Sequence, residues 1–478
     1  GRSARVEVRV ENSLRRSLRF VIWAWVGGAL WLYITTGALL TRYAQWVGLP
    51  PIGFGIMAAV PFVAALFQLP ASWWLERHGH RKRFFIGLGL LHRALWLVIA
   101  VLPWVLPASW QWPGFLVVLG ISWVAGQMIV PAWVAWMGDL VPARIRGRFF
   151  SRRTQLGQLV GLVTTWAIGA VLDWATTQGE PVMARTISIG LAVAGVAGML
   201  DFLLFLPVES AERPVPARPV SLWELVRAPL ADVHFRRFLG FHMTLTFGTA
   251  YLGPFFWLYA FEELQLTNVQ ANVWLVILPM VMWALATPLW GRVLDRFGRK
   301  PVLWLAGIAV VLGSAAWVPM TEGTLWPWYG LVMLANLAWP GIELANFNVL
   351  LRTRDATGQT RVPTSGYVVV CSVAGALAGS LAGLVAGGLA EAWQPRQPVW
   401  LGVEWTYHRV LFVCSSALRL VALGWLVGFR DVQAGSTRMA LRYLGTNIYS
   451  NLQQTVFLPI RLLSRVGRMT YKVRKSSS

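Results

Sequence analysis

Two short runs in this chain combine an acid, a glycine and several bases at a fixed spacing: Glu76-Arg77-His78-Gly79-His80-Arg81-Lys82 and Asp295-Arg296-Phe297-Gly298-Arg299-Lys300. In each, the acid precedes the glycine by three residues. A carboxylate so placed can pair with arginines on a neighbouring helix end and lose them when the two ends part. Exposed ion pairs are individually weak, so such contacts bias an equilibrium rather than lock it. Glu76, Arg77, Gly79, Arg81, Asp295, Arg296, Gly298, Arg299 and Lys300 are therefore candidate gating residues. Asp139, close to Arg144 and Arg148, is a further candidate, as a gating or structural ion pair. The plainer account, bases that only orient the chain, explains the arginines but not the placed acid and glycine.

A second group of polar residues interrupts apolar runs. Glu343 lies three residues after Pro340, with Asn336, Asn346 and Asn348 nearby. A proline frees backbone groups in a helix, and an ionisable residue inside an apolar span is costly enough to suggest a function. This is a candidate site for a solute or a coupling proton, the alternative being a structural partner for an arginine on another helix. Gln127, and His242 with Thr244 and Thr246, are weaker candidates for a cavity lining. Asp201 sits near a span end and stays ambiguous, and His92-Arg93 reads as a snorkelling arginine with its neighbour.

Enzyme chemistry has no foothold. The lysines follow Arg81, Arg299, Tyr471 and Arg474, so there is no Gly-Lys phosphate loop, and H-E-x-x-H, paired-cysteine and G-x-S-x-G patterns are missing too. No catalytic residue, metal ligand or cofactor is expected. Cys371 and Cys414 both lie in apolar runs and suit packing.

The elements that carry these residues follow from composition. Of 478 residues 56% are hydrophobic and 13% charged, and 29 are tryptophan. Apolar runs long enough to cross about 30 Å of hydrocarbon as helices recur throughout. The runs lack the alternation of a barrel strand, so they are read as helices. Twelve spans are expected: 20–44, 51–75, 84–106, 112–140, 154–173, 183–206, 238–261, 268–290, 302–320, 326–350, 363–390 and 407–429. The run after Arg15, Arg16 and Arg19 is too long for a signal-peptide core and reads as a retained first span. Most tryptophans, such as Trp46, Trp110, Trp112, Trp326 and Trp328, fall near span ends as an interfacial belt, while Trp31 and Trp283 lie deeper.

The net charge of +22 does not point to nucleic acid. All Lys and Arg but Arg42, Arg93, Arg185, Arg396, Arg409 and Arg419 lie in the two terminal segments and in alternate loops. That asymmetry places both termini on the cytoplasmic side, against an anionic leaflet. The expected divisions are an N-terminal basic arm (1–19), a six-helix bundle (20–206), a Pro-rich linker (207–237), a second six-helix bundle (238–429) and a basic tail (430–478). The tail reads equally well as an interfacial helix or as a disordered segment.

The halves repeat one another. Gln127, Pro131 and Asp139 in the fourth span match Asn336, Pro340 and Asn348 in the tenth. Arg144, Arg146 and Arg148 then parallel Arg352 and Arg354. Gly157, Gly161, Thr165 and Gly169 in the fifth span answer Gly375, Gly379, Gly383 and Gly387 in the eleventh, small-residue stripes on which a second helix can approach closely. The run from Gly291 to Lys300 resembles the loop signature of the major facilitator superfamily, and adds Gly291 to the gating candidates. The first copy departs from it at Ser72, Glu76 and His80, while Pro142-Ala143-Arg144-Ile145-Arg146-Gly147-Arg148 is similar to that family's loop between spans four and five.

The resemblance covers about residues 18–430 and implies an all-α membrane protein of two six-helix bundles related by pseudo-two-fold symmetry. It further implies a secondary or facilitative transporter working by alternating access, with spans five and eleven at the contact between halves. A Gly-Pro antiporter pattern is missing from span five, so proton-antiport drug efflux is not favoured. The few charges within spans favour an uncharged or amphipathic organic solute, with a proton as a coupling candidate. The competing expectation is a non-transporting scaffold or assembly subunit that holds a partner protein in a membrane complex.

Overall fold

The structure, a computed structural model, describes residues 2–210, 227, 229–351, 364–396, 398–400, 403–429, 431 and 435–445. Within these, the side chains of residues 2–12, 76, 143, 144, 351, 364–366, 400 and 403 fall outside the description. Among the expectations above, Arg352, Arg354, most of the linker and the tail beyond residue 445 lie outside the described residues.

The described chain is helical almost throughout. The helices are α1 (Arg2–Ile34), α2 (Ala38–Trp46), α3 (Pro51–Ala65), α4 (Gln68–His78), α5 (Arg81–Val105), α6 (Ala108–Leu140), α7 (Ala143–Thr177), α8 (Glu180–Leu203), α9 (Val233–Ala250), α10 (Phe255–Glu262), α11 (Asn268–Asn272), α12 (Leu278–Phe297), α13 (Arg299–Ala315), α14 (Leu325–Leu351), α15 (Thr364–Trp393) and α16 (Tyr407–Trp425). A π-helical turn, Val273–Ile277, joins α11 to α12, and a two-residue antiparallel pair, Val399–Trp400 with Val403–Glu404, lies between α15 and α16. Taken as α1+α2, α3+α4, α5, α6, α7, α8, α9+α10, α11+α12, α13, α14, α15 and α16, these make the twelve-helix, six-plus-six arrangement.

Nine helices among the described residues are long and apolar enough to cross a membrane unaided, and the chain is a multi-pass membrane protein. The seventh, ninth and tenth passes fall short for separate reasons. The seventh is broken between Ala250 and Phe255 at Pro254, the ninth is only 17 residues long, and the tenth is diluted by Pro340, Glu343 and three asparagines. Other breaks have local causes. At the end of α1 the Thr35 and Thr36 hydroxyls donate back to Trp31 O (2.8 Å) and Leu32 O (2.7 Å), and Gly37, at φ 85°, turns the chain into α2. Thr267 and Gln270 form a capping box that starts α11.

By internal packing the chain forms two compact units. The first comprises residues 1–221, 246–277 and 372–411; the second comprises 222–245, 278–371 and 412–478. In the first unit α5 packs on α6 and α8, and α1 on α7 and α8, around Val21, Phe85, Trp136, Phe202 and Phe205. In lipid such helices gain little from leaving the solvent and associate through close packing. Gly89 supplies it here: a Cβ at that position would lie 2.1 Å from the Phe202 ring. In the second unit α14 packs between α12 and α13, with the Trp290 ring over Gly341 and its indole N–H donating to Leu337 O (2.6 Å).

A polar seam and two loop clamps as the candidate functional site

Both loop glycines adopt the conformation that glycine favours. Gly79 (φ 71°) ends α4 and Gly298 (φ 81°) precedes α13, so each turns the chain tightly between two helices. Beyond the first, Arg81 Nη1 pairs with Asp139 Oδ2 at 2.9 Å, clamping the start of α5 to the end of α6. Arg146 donates to Gly138 O (2.7 Å) and Val141 O (3.2 Å), satisfying the carbonyls that end α6. Arg77 stacks over Trp73 (4.7 Å), Arg148 is exposed, and the Glu76 and Arg144 side chains are outside the description.

The second clamp differs from the expected one. Asp295 is exposed and makes no ion pair among the described residues, and Gly291 faces open space. The acid that engages the loop is Asp431, beyond the last span. It accepts the Arg299 and Lys300 backbone N–H groups (2.7 and 3.2 Å) and Arg299 Nε and Nη2 (3.2 and 2.7 Å). Burial pushes the Asp431 carboxyl up, but the Arg299 hydrogen bonds and charge outweigh it and hold the group below its usual range. Lys300 Nζ reaches Val427 O (3.3 Å), and Arg296 lies over Phe297 and Tyr443.

The interior candidates are scattered. Gln68 Nε2 donates to Gln127 Oε1 (2.6 Å), while Asn336 and Asn348 donate to carbonyls four residues back in their own helix. The Asn346 carbonyl oxygen is buried without a partner, and half-buried His242 stacks on Phe238. Glu343 is exposed, with no arginine partner among the described residues. Arg93 corrects the snorkelling expectation: it is 6% exposed, lies 3.4 Å above the Trp31 ring, and faces Asp201 at 3.8 Å and His92 Nε2 at 3.1 Å. Trp31 is thereby a wall of this buried cluster. Among the described residues, no group of three or more His, Cys, Asp or Glu is placed to hold a metal ion.

Within the first unit, helices from the two sequence halves meet along a seam at the end opposite the Arg81–Asp139 clamp. Asp173, near the end of α7, accepts the backbone N–H groups of Asn268 (2.7 Å) and Val269 (3.0 Å) and the Asn268 side-chain amide (2.8 Å), so an anion caps the start of α11. Arg42 Nε donates to Asn268 Oδ1 (2.9 Å), and its guanidinium lies 3.8 Å above the Phe261 ring. Asn272 accepts from Ala38 N–H (3.4 Å) and donates to Thr165 O (2.8 Å). Ile52 N–H donates to Glu391 (3.2 Å).

Glycines bring the backbones together there. A Cβ on Gly55 would lie 2.4 Å from Gly383 O and 2.6 Å from Gly387 Cα, and one on Gly169 would lie 2.8 Å from Val269 Cα. The stripes at Gly169, Gly379, Gly383 and Gly387 are thus contact surfaces between sequence halves. The seam's polar members escaped the sequence reading. Their signal was a lone acid at the end of the fifth span and an Asn pair, i and i+4, at the start of the eighth. Such a seam has hydrogen bonds to exchange with water, and aromatic rings, Phe62 against Gly379 and Trp257 against Gly37, that seat on its glycines.

Comparison with known proteins agrees with this architecture. Three solved structures show the same fold at low identity. A point mutant of the nucleoside transporter NupG is 13% identical, with a TM-score of 0.63 over 87% of this chain and 100% of that one. A bacterial homologue of the lysosomal transporter Spinster, inward-facing and unoccupied, is 14% identical, with a TM-score of 0.61 over 90% and 98%. A bacterial homologue of the iron transporter ferroportin, outward-facing, is 14% identical, with a TM-score of 0.56 over 87% and 99%. No curated protein matches the chain in sequence. Residues 18–378 match the family model of the Major Facilitator Superfamily, and the chain belongs to that superfamily.

Proposed function

We propose that this protein moves a small, uncharged or amphipathic organic solute across the inner membrane by alternating access, with both termini cytoplasmic. The observation that carries this reading is the seam. Arg42, Asp173, Asn268 and Asn272 join helices of the two sequence halves through hydrogen bonds, over glycines that let the backbones meet. Contacts of this kind can part and re-form, as a site open to each side in turn requires. With the termini cytoplasmic, the seam is the outer gate, and the Arg81–Asp139 and Arg299–Asp431 clamps brace the inner helix ends.

Glu343 is the proposed solute or proton contact. In the first half of α14 the exposed residues include Gly330 and Leu334, and in the second half they are Glu343 and Phe347. Nine residues separate Leu334 from Glu343, about 2.5 helical turns, so the open face has changed sides. A face that carries a carboxylate is better matched to a water-filled path than to lipid. The scaffold alternative is less favoured, since the family and the likenesses are those of transporters.

The test is thermal stabilisation of detergent-purified protein by a panel of nucleosides, sugars, dipeptides and amphipathic organic molecules. A ligand of the folded state raises Tm. A hit lost in Glu343→Gln, at unchanged basal Tm, supports the assignment. Silence across the panel, together with no uptake into proteoliposomes, would sink it.

A further inference from the structure

A buried histidine flanked by two carboxylates lies one residue along from the seam. His408, in the first turn of α16, is 2% exposed. Its Nδ1 lies 2.9 Å from Glu263 Oε1, and Thr406 Oγ1 donates to the same oxygen. A carboxylate oxygen accepts, so Nδ1 carries the ring proton of the neutral imidazole. The other nitrogen, Nε2, is buried with no hydrogen-bond partner and faces Glu262 Oε2 at 3.7 Å. Tyr407 donates to that Glu262 oxygen at 3.0 Å and so holds the carboxylate toward α16.

The groups facing this site are therefore Tyr259 and Glu262 from α10, Glu263 just past its end, and Tyr407 and Arg409 from α16. Burial alone would raise the Glu263 carboxyl. The hydrogen bonds from His408 and Thr406, with the charge of Arg409, act against burial and hold it below the usual range. Glu263 thus stays an anion, and the open position for a proton is His408 Nε2.

Glu262 adjoins the seam through its neighbour Phe261. Arg42 sits over Phe261, the preceding residue, and lies in the fields of both Asp173 and Glu262. The first half of the chain supplies Arg42, whereas Glu262 and His408 both come from the second. A proton on Nε2 would place a cation against Glu262 from its own half, in competition with the attraction across the seam. We propose that His408 is a proton-binding site of the gate: the proton is held between Nε2 and Glu262, and its arrival weakens the hold of Arg42 and favours seam opening. The proposal rests on the alternating-access reading above.

The experiment is a spin-label distance measurement on the full chain in lipid nanodiscs. Labels go on Gln178→Cys and Gln394→Cys, both exposed and outside the seam bonds, with Cys371 and Cys414 replaced by alanine. Distances are read from about pH 8 to about pH 5.5, a range that spans imidazole titration. The wild-type background is expected to gain a longer-distance population on acidification, by on the order of tenfold in the open-to-closed ratio, the size of one partly screened charge contact. His408→Gln is expected to stay closed at both pH values. Glu262→Gln keeps the His408–Glu263 bond and is expected to be more open at both, without a pH response.

A pH response retained in either variant overturns the site. A wild-type background with both populations but no response to pH also overturns it, while leaving alternating access intact. A single population under every condition, in an Asp173→Asn background as well, removes alternating access and this site with it.

Discussion

Replacing Asp173 by asparagine should open the seam while leaving the fold intact. Asp173 accepts three hydrogen bonds from the start of α11, at 2.7, 2.8 and 3.0 Å. Asparagine keeps the shape but presents one carbonyl oxygen and one amide, so it retains part of the set and loses the charge. Hydrogen bonds to charged groups contribute about 1.5–3 kcal/mol each, and Asp173 is only half-buried, which puts the net loss near 2 kcal/mol. That corresponds to about a 30-fold shift from closed toward open.

The reporter for this shift is Ala38→Cys, at a position 1% exposed and bonded through its backbone to Asn272. In a background lacking Cys371 and Cys414, its rate of labelling by a membrane-impermeant maleimide follows the open fraction. The rate should rise about 30-fold in Asp173→Asn, as the energy above requires. Asp139→Asn, at the opposite clamp, should not raise it. Labelling that changes less than about twofold in a well-folded Asp173→Asn protein would refute the view that this carboxylate holds the seam, since even 0.5 kcal/mol would exceed that.

The other expectations concern packing and buried charge. Gly55→Val should prevent seam closure, because the atoms it meets are backbone atoms of Gly383 and Gly387 that cannot rotate away; labelling of the Ala38→Cys reporter would become fast and solute uptake would fall to background. Asp431 has a carboxyl held below its usual range, so its stabilisation is complete above the unfolded pKa of about 4 and is lost as pH falls through the lower folded value. Asp431→Asn should therefore lower Tm at neutral pH and flatten its decline in acid, which differential scanning fluorimetry across pH reads directly. Arg93→Met leaves Asp201 buried, with its nearest guanidinium gone, and should cost about 3–5 kcal/mol. Arg93→Met with Asp201→Asn should recover a large part of that loss in the same Tm measurement.

Much of the fold was legible from one-dimensional features. Apolar runs of membrane-spanning length determine the passes, because no other backbone arrangement in lipid satisfies its own hydrogen bonds so locally. Gly79 and Gly298 marked tight turns because the left-handed backbone they adopt is one that L side chains rarely take. The glycine stripes announced close helix contact, which is a property of spacing alone. The breaks at Gly37 and Pro254 were less legible, since hydropathy averages over a window and does not register one residue's φ.

Partners were another matter, because pairing depends on which helix ends meet in space. The sequence by itself determined a multi-pass helical protein with a duplicated pattern and two acid-glycine-base loops. Only the tertiary structure decided that Asp431, distant in the chain, pairs with the loop arginine Arg299, and that Arg93 finds Asp201 rather than the membrane surface. It also decided that Arg42, Asp173 and Asn268 converge on one seam with Glu262 and His408 beside it. The physical reason is range: burial and periodicity are written locally along a helix, whereas a hydrogen bond or ion pair needs atoms within a few ångströms, and that proximity exists only after the helices have packed.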